Sequence, residues 1–209
     1  MLKIYQHPLI DSKLTAMRSV NTKHQDFRRN LEEISSLMVY EMLRDYQTKP
    51  ISITTPMGME YIGQTYNKEI VIIPILRAGL GMVNGILNLV PEARVGHIGM
   101  YRNEETGKVE EYFFKIPDVA KDSYVIIVDP MLATGRSASD AITKMENLGF
   151  TNIKLVCLVG VQEGIDKIQQ EHPDVDIYLA AKDAILNEQK YILPGLGDAG
   201  DRIFGTKDK

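Results

Sequence analysis

The chain has 209 residues, with 24 Lys and Arg against 28 Asp and Glu, and a formal net charge of −4. This length suits one sizeable core and is short for two ordinary domains. So small a charge gives no sign of a general nucleic-acid or anionic-membrane surface. The single cysteine, Cys157, rules out an intrachain disulfide. Its apolar surroundings predict a buried small hydrophobe rather than a catalytic thiol, which fits a reducing, cytoplasmic location.

The N-terminal part holds one clearly amphipathic segment. Residues 1–25 are polar-rich and show no core role, so they are predicted to be an N-terminal arm packed on a partner subunit or a loosely attached terminus. The chain has no long apolar stretch, so neither a secretory signal nor a membrane span is predicted. Asp26 is a candidate start for a helix, because apolar residues then recur at spacings of four, three and four. They are Phe27, Leu31, Ile34 and Met38.

Short apolar runs and helical segments alternate along the rest of the chain. The runs are β-branched and nearly continuous, which is typical of strands covered on both faces. The alternation predicts a single α/β domain with a mainly parallel sheet flanked by helices. The predicted strands are 70–74, 95–100, 125–128, 153–159 and, more weakly, 175–180, and the predicted helices are 79–89, 137–148 and 164–170.

Two segments interrupt this alternation. Residues 101–115 are charged and then aromatic, which predicts a hairpin or loop that leaves the sheet, and connections of this length are often lids. Residues 192–204 are rich in glycine and contain Pro194, so neither a regular strand nor a regular helix is predicted there.

The strongest chemical pattern follows the predicted strand 125–128. Asp129 stands at the strand end, and a loop with Thr134 and Gly135 leads into a helix near Ser137. Backbone N–H groups and a helix dipole then surround one point, which suits a phosphate monoester. The two hydroxyls add donors, and glycine permits close approach of the backbone. Asp129 can accept hydrogen bonds from ribose hydroxyls at the edge where open α/β sheets bind ligands.

The same segment also has a purely structural interpretation. Thr134 and Gly135 could simply turn the chain, and Ser137 could simply cap the helix. The segment is neither a Walker A loop nor a dinucleotide fingerprint. The physical pattern alone therefore indicates an anion site without identifying the ligand.

Residues 129–135, D-P-M-L-A-T-G, resemble the motif with which type I phosphoribosyltransferases bind 5-phosphoribosyl diphosphate (PRPP). The Asp129-Pro130 pair is typical of the uracil phosphoribosyltransferase family, since many relatives that use other bases have two adjacent acids there. The resemblance continues through residues 7–9, 74–81, 99–105 and 191–201. It implies the type I fold, with a flexible lid hairpin at 101–115 and a C-terminal base-binding hood at 185–205.

The resemblance also implies an activity. The enzyme would transfer the phosphoribosyl group of PRPP to N1 of uracil, giving UMP and diphosphate. The alternatives are a phosphoribosyltransferase for another base and a PRPP-sensing regulator without catalysis.

Residue roles follow from the same resemblance. Arg77 and Arg102 are expected to bind the diphosphate, with a non-proline cis peptide near Leu76-Arg77. Arg102 and Asp198 are the catalytic candidates, and Asp198 either accepts the N1 proton or only orients ligands. The PRPP-binding set is Arg77, Arg102, Asp129, Pro130, Met131, Leu132, Ala133, Thr134, Gly135, Arg136, Ser137 and Asp198, and the uracil-binding set is Ile192, Gly197, Asp198 and Ala199.

Arg136 departs from the glycine that common bacterial members have at this position. A positive φ there would strain it; otherwise it helps to hold the phosphate or points into solvent. PRPP carries more negative charge than two or three arginines neutralise, so Mg2+ held mainly by PRPP and water is expected. The resemblance further suggests a homodimer or homotetramer and GTP as an activator in some members, with no nucleic-acid or membrane partner.

Overall fold

The computed structural model describes residues 1–102 and 109–206, without the side chains of residues 102, 109 and 110. In chain order the elements of this part are β1 (Leu2–Ile4), α1 (Pro8–Arg18), α2 (His24–Met42), a 3-10 turn (Leu43–Asp45), β2 (Thr48–Thr54), β3 (Glu60–Tyr66), β4 (Ile70–Leu76), α3 (Leu80–Leu87), β5 (Arg94–Val95), β6 (His97–Arg102), β7 (Val109–Lys115), β8 (Tyr124–Val128), β9 (Met131–Leu132), α4 (Arg136–Asn147), β10 (Ile153–Gly160), α5 (Gln162–Glu171), β11 (Asp176–Lys182), β12 (Ile185–Leu186), β13 (Ile192–Leu193) and α6 (Ala199–Phe204).

A mainly parallel sheet forms the centre of the protein. Its main path runs β1-β11-β10-β8-β4-β6-β7, with β5 beside β4 and β9 beside β10. Neighbouring strands are parallel except β6 and β7, which form an antiparallel hairpin. Strands β4 and β10 are buried along almost their whole length, as expected for parallel strands covered on both faces. The predicted fold class is confirmed, and the predicted strand 95–100 divides into β5 and β6 at Gly96.

Helices cover both faces of this sheet. On one face, buried residues of α1, α2, α3 and α6 pack against side chains such as Ile72 and Ile126. On the other face, α4 and α5 pack against side chains such as Ile73 and Ile127. Cys157 is buried in this second cluster, as predicted. No helix within residues 1–102 and 109–206 is long and apolar enough to cross a membrane.

The N-terminal segment has a core role, so the prediction that residues 1–25 lack one is wrong. Strand β1 pairs in parallel with β11 at the edge of the sheet. Helix α1 buries Ile10, Leu14 and Met17, whose spacings of four and three are a helical signal that the polar surroundings obscure. Helix α2 begins at His24 rather than Asp26, and it buries the apolar face that the sequence predicts.

The C-terminal segment is more regular than predicted. Strand β13 pairs with β12, and α6 follows it, so the expectation of no strand or helix in 192–204 is wrong. Asp198 caps α6, because its carboxylate accepts a hydrogen bond from the Asp201 N–H at 2.8 Å. Six residues are too few to show helical periodicity in sequence.

A second hairpin, β2 with β3, has no counterpart among the predicted elements. Within the described residues its two strands pair only with each other and form a sheet separate from the central one. Its side chains are exposed on both faces, although several are large and apolar. The exposed apolar residues of the hairpin are Ile51, Ile53, Met57, Met59, Tyr61, Ile62 and Tyr66.

Helices α2 and α3 are in close contact at Gly85, where an added Cβ would lie 2.0 Å from the Glu32 carbonyl oxygen. We expect Gly85→Ala to lower the free energy of unfolding by about 1–3 kcal/mol, because the helices must move apart. Gly63→Ala, in the exposed hairpin, is the control and should change it by less than about 0.5 kcal/mol. Urea unfolding of both variants checks this, and equal losses would contradict it.

Candidate active site

The loops that follow β4 and β8 meet at the carboxyl edge of the sheet. Gly79 lies so close to the end of β8 that an added Cβ would be 2.5 Å from the Val128 carbonyl oxygen. Only glycine permits this approach. The Leu76-Arg77 peptide bond just before it is cis, which confirms the expectation from family resemblance. The loop carrying Arg77 is thereby held beside the loop that starts at Asp129.

The loop after β8 leads into α4 through a left-handed glycine. Gly135 has φ 75 and stands at the N-cap of α4 without a side-chain hydrogen bond. The first N–H groups of a helix have no acceptor within the helix, so they can bind an anion. Arg136 and Ser137 are exposed at this end, and Thr134 is half-buried. The predicted order of strand end, glycine turn and helix N-terminus is therefore present, and phosphate binding there stays a prediction.

This loop is braced by the start of α5. A Cβ on Gly135 would lie 2.8 Å from the Gly164 carbonyl oxygen, and a Cβ on Gly164 would lie 2.5 Å from the Ala133 carbonyl oxygen. Each glycine therefore makes room for the backbone of the other segment. Gly164 was not a predicted site residue, since no local signal connects it with a loop some thirty positions earlier.

The predicted PRPP-loop residues divide into buried and accessible groups. Pro130 and Leu132 are buried, and the Pro130 carbonyl accepts hydrogen bonds from Leu158 and Val159 of β10 at 3.1 and 3.0 Å. Met131 and Ala133 are half-buried. In this loop the buried members can offer a ligand only their backbone groups, whereas the accessible members can also offer side chains.

Asp129 is partly buried at the end of β8. Its carboxylate accepts a hydrogen bond from the Met131 N–H at 3.2 Å. Burial raises the pKa of Asp129 to about 7, and this hydrogen bond opposes the rise. Burial also raises the pKa of the neighbouring Cys157 thiol, which argues against a nucleophilic role for that residue.

Arg136 begins α4 in ordinary right-handed helical backbone, so the position tolerates a side chain and the strain considered above does not arise. Its guanidinium is exposed. The pKa of nearby Asp140 is raised mainly by burial, and Arg136 opposes this rise through its positive charge. Arg136 therefore adds positive potential at the N-terminus of α4.

Arg77 joins the C-terminal segment to this edge. Its guanidinium lies 5.8 Å from the centre of the Phe204 ring, within the range of a cation–π contact. A Cβ on Gly200 would lie 3.8 Å from Arg77 Nη2 and 3.3 Å from Asp198 Oδ1. The structure thus brings together the predicted residues Arg77 and Asp198. The backbone of Arg102 ends β6, but its side chain and residues 103–108 lie outside the described part of the chain.

The predicted base-binding residues offer mainly backbone groups. Ile192 and Ala199 are buried, whereas Gly197 is exposed with φ 77. Asp198 is the polar side chain of this set, and one of its oxygens already caps α6. Two residues outside every predicted motif, Arg18 and Asp183, hydrogen-bond to this segment.

A mainly parallel sheet flanked by helices, with a candidate anion site at its carboxyl edge, has the fold of the type I phosphoribosyltransferases. The fold resembles adenine phosphoribosyltransferase from Trypanosoma brucei, with a TM-score of 0.60 and 11% identity over 90% of this chain and 87% of that chain. At such low identity, this likeness shows the fold alone.

The chain belongs to the uracil phosphoribosyltransferase family, whose model matches residues 4–206. Proteins named uracil phosphoribosyltransferase from Metamycoplasma hominis and Metamycoplasma arthritidis are 75% and 68% identical to it, with 100% of each chain covered. The solved AQ2163 protein from Aquifex aeolicus is 36% identical, with a TM-score of 0.93 and complete coverage of both chains. The predicted family and enzyme class are confirmed, and the two alternatives are not favoured.

The raised pKa of Asp129 predicts how the free energy of unfolding of the ligand-free protein depends on pH. The folded state binds this proton more tightly than the unfolded state, so stability falls as pH rises from 3.8 to about 7 and then levels off. Asp129→Asn removes this loss, and its free energy of unfolding relative to the parent should rise across the same window.

Urea unfolding at several pH values between 4 and 8 checks this prediction. Asp122→Asn is the control. Lys68 lowers the pKa of exposed Asp122 below its usual value of 3.8, so protonation of Asp122 changes stability only below the tested pH range. A pH-independent difference for Asp129→Asn would show that the buried carboxyl does not titrate in this range.

Proposed function

We propose that this edge of the sheet binds PRPP and uracil and joins them at uracil N1, releasing diphosphate and UMP. The observation that carries the proposal is the convergence of three segments. The Arg77 loop packs on the end of β8, and Arg77 also lies beside Gly200 of the C-terminal segment. The 5′-phosphate, the diphosphate and the base each need a binding surface, and the three surfaces must lie next to one another. The whole chain, 1–209, would act as a single domain.

The N-terminus of α4 is the proposed site of the 5′-phosphate. Gly135 and the first turn of α4 supply N–H donors, and Thr134 and Ser137 supply hydroxyls. Exposed Arg136 strengthens the positive potential there. Asp129 is placed to accept hydrogen bonds from the ribose hydroxyls, and the backbone of residues 130–133 completes the cradle.

Arg77 and Arg102 are proposed to bind the diphosphate. Charge-assisted hydrogen bonds from guanidinium groups become stronger as negative charge develops on the leaving group, and this favours the transition state. Segment 101–115 is the proposed lid, and its closure would exclude water that would otherwise hydrolyse PRPP.

Magnesium is the proposed cofactor. Within the described residues, no group of three or more His, Cys, Asp or Glu side chains is arranged to hold a metal ion. The proposed ion is held mainly by PRPP oxygens and water, with Asp198 accepting hydrogen bonds from its waters. When bound, magnesium supplies positive charge to the diphosphate.

Residues 185–205 are proposed to read uracil through the backbone of Ile192, Gly197, Asp198 and Ala199. Uracil offers an acceptor at O4 and a donor at N3, whereas cytosine reverses both. A fixed backbone pattern would leave groups unpaired against cytosine, at a cost of roughly 1–3 kcal/mol each. Because Asp198 Oδ1 caps α6, its geometry favours an orienting role over that of a free general base.

Initial rates with PRPP and uracil, cytosine, hypoxanthine or orotate test the proposal. UMP formation with uracil, dependent on magnesium, is the expected result. Arg77→Ala should raise the KM for PRPP by roughly 10–100-fold, through the loss of charged hydrogen bonds, and leave the KM for uracil unchanged. Arg94→Ala, which removes an exposed arginine paired with Glu69, is the control. Equal rates with another base would sink the uracil assignment.

We also propose a homo-oligomer, a cytoplasmic location, and GTP as an activator to be tested in the same assay. The support for oligomerisation is the β2–β3 hairpin, whose exposed apolar residues include Ile53 and Tyr61, 47% and 58% exposed. An apolar surface of this kind is typical of an interface between subunits.

Light scattering checks the proposed role of the hairpin. Ile53→Glu should shift the protein toward the monomer, because a buried charge would oppose association. Val20→Glu is the control, since Val20 is 82% exposed but lies outside the hairpin. An oligomer of unchanged mass and concentration dependence in Ile53→Glu would place the interface elsewhere.

A further inference from the structure

Arg18 and Asp183 form a largely buried ion pair beneath the loop 194–198. The side chain of Asp183 is 4% exposed and that of Arg18 is 24% exposed. Arg18 donates from Nη1 and Nη2 to the two carboxylate oxygens, at 2.8 and 2.5 Å. Such a bidentate pair fixes direction as well as distance. It joins α1 to the residue that follows β11, although the two residues are far apart in sequence.

Both members of the ion pair hydrogen-bond to one residue of the loop, Gly195. The Gly195 N–H donates to Asp183 Oδ2 at 2.9 Å, and the Gly195 carbonyl accepts from Arg18 Nη1 at 2.7 Å. Gly195 has φ 63, and an added Cβ would lie 2.1 Å from the Ile192 carbonyl oxygen. Both backbone polar groups of Gly195 are therefore held by charged side chains, and this sets the orientation of the peptide planes on either side.

Arg202 provides a second connection between the loop and the N-terminal segment. It donates to the carbonyls of Leu196 at 2.8 Å and Ser19 at 2.7 Å, and also to that of Met17. Its guanidinium stacks 4.5 Å from the centre of the Phe27 ring. The loop and the connection between α1 and α2 are thus joined mainly through arginine side chains.

Leu196 of this loop is buried in the apolar core, but packing does not support the loop on every side. A cleft of about 540 Å³ opens between loop residues 194–198 and residues 20–24. On that side the loop rests on hydrogen bonds rather than on a close-packed apolar surface, so its conformation depends strongly on the residues that make them.

We infer that Arg18 and Asp183 are positioning residues for base recognition. They hold Gly195 and thereby aim the backbone groups of residues 196–199 at the base. The inference rests on the proposed function, because the role of this loop in binding uracil is itself proposed. A site that reads its ligand with backbone groups depends on whatever fixes the loop, since it has few side chains that can adjust.

Steady-state kinetics of Asp183→Asn, Arg18→Lys and Arg18→Ala test the inference. The KM for uracil should rise roughly 10–100-fold in Asp183→Asn and Arg18→Ala, because charged hydrogen bonds are lost. The KM for PRPP should rise much less, because among residues 196–199 only Asp198 is assigned to PRPP. Arg18→Lys keeps the charge but not the bidentate geometry, so it should recover part of the affinity for uracil. Lys68→Ala, which breaks the exposed ion pair with Asp122, is the control and should change neither constant.

The outcomes separate this inference from the proposed function. A parent enzyme that forms no UMP from uracil would defeat the proposed function. An active parent whose folded variants bind uracil normally, or lose affinity for uracil and PRPP equally, would overturn the positioning role. Thermal unfolding identifies variants that do not fold, and if Asp183→Asn and Arg18→Ala both fail to fold, the KM values of Arg18→Lys decide the question.

Discussion

The site depends on close approaches between backbones at the carboxyl edge of the sheet. Gly79 lies against the backbone of Val128, and Gly135 and Gly164 lie against each other's segments. None of these three glycines has room for a Cβ. These contacts align the loops that carry Arg77, Asp129 and the start of α4. Because backbone atoms rather than long side chains set the spacing, the donors are in place before a ligand arrives. A Cβ at any of these glycines would shift the loops relative to one another.

The same arrangement explains how a slightly acidic protein can attract a polyanion. Net charge describes the whole surface, whereas binding depends on the potential at one edge. Here the N-terminus of α4, exposed Arg136 and exposed Arg77 provide positive potential. Partial burial of Asp129 raises its pKa, which reduces the negative charge that this side chain presents near neutral pH in the ligand-free protein.

The sequence predicted the elements whose signal is local. Strands β4, β8 and β10 are nearly continuous apolar runs because both faces are buried, and the proposed phosphate loop follows β8 with a recognisable order of residues. The hairpin β2–β3 was not predicted. Residues 51–54 alternate apolar and polar side chains over a short run, but β3 does not continue the pattern, because Tyr61 and Ile62 are adjacent and Gly63 follows them. Gly164 and Asp183 were also not predicted, because their partners lie far away in sequence and only the folded topology brings them together.

The N-terminal segment shows why a polar sequence need not mean a peripheral role. Few apolar residues suffice to seat α1 on the core, namely Ile10, Leu14 and Met17. This leaves Arg18, at the end of the same helix, directed at Asp183. A helix end can hold a guanidinium accurately because the helix backbone below it is fixed by packing. The burial of three apolar side chains near the N-terminus is thereby coupled to the conformation of a loop near the C-terminus. A loss of packing in α1 would be transmitted to the proposed base-binding segment through the Arg18–Asp183 ion pair and the hydrogen bonds that Arg202 donates.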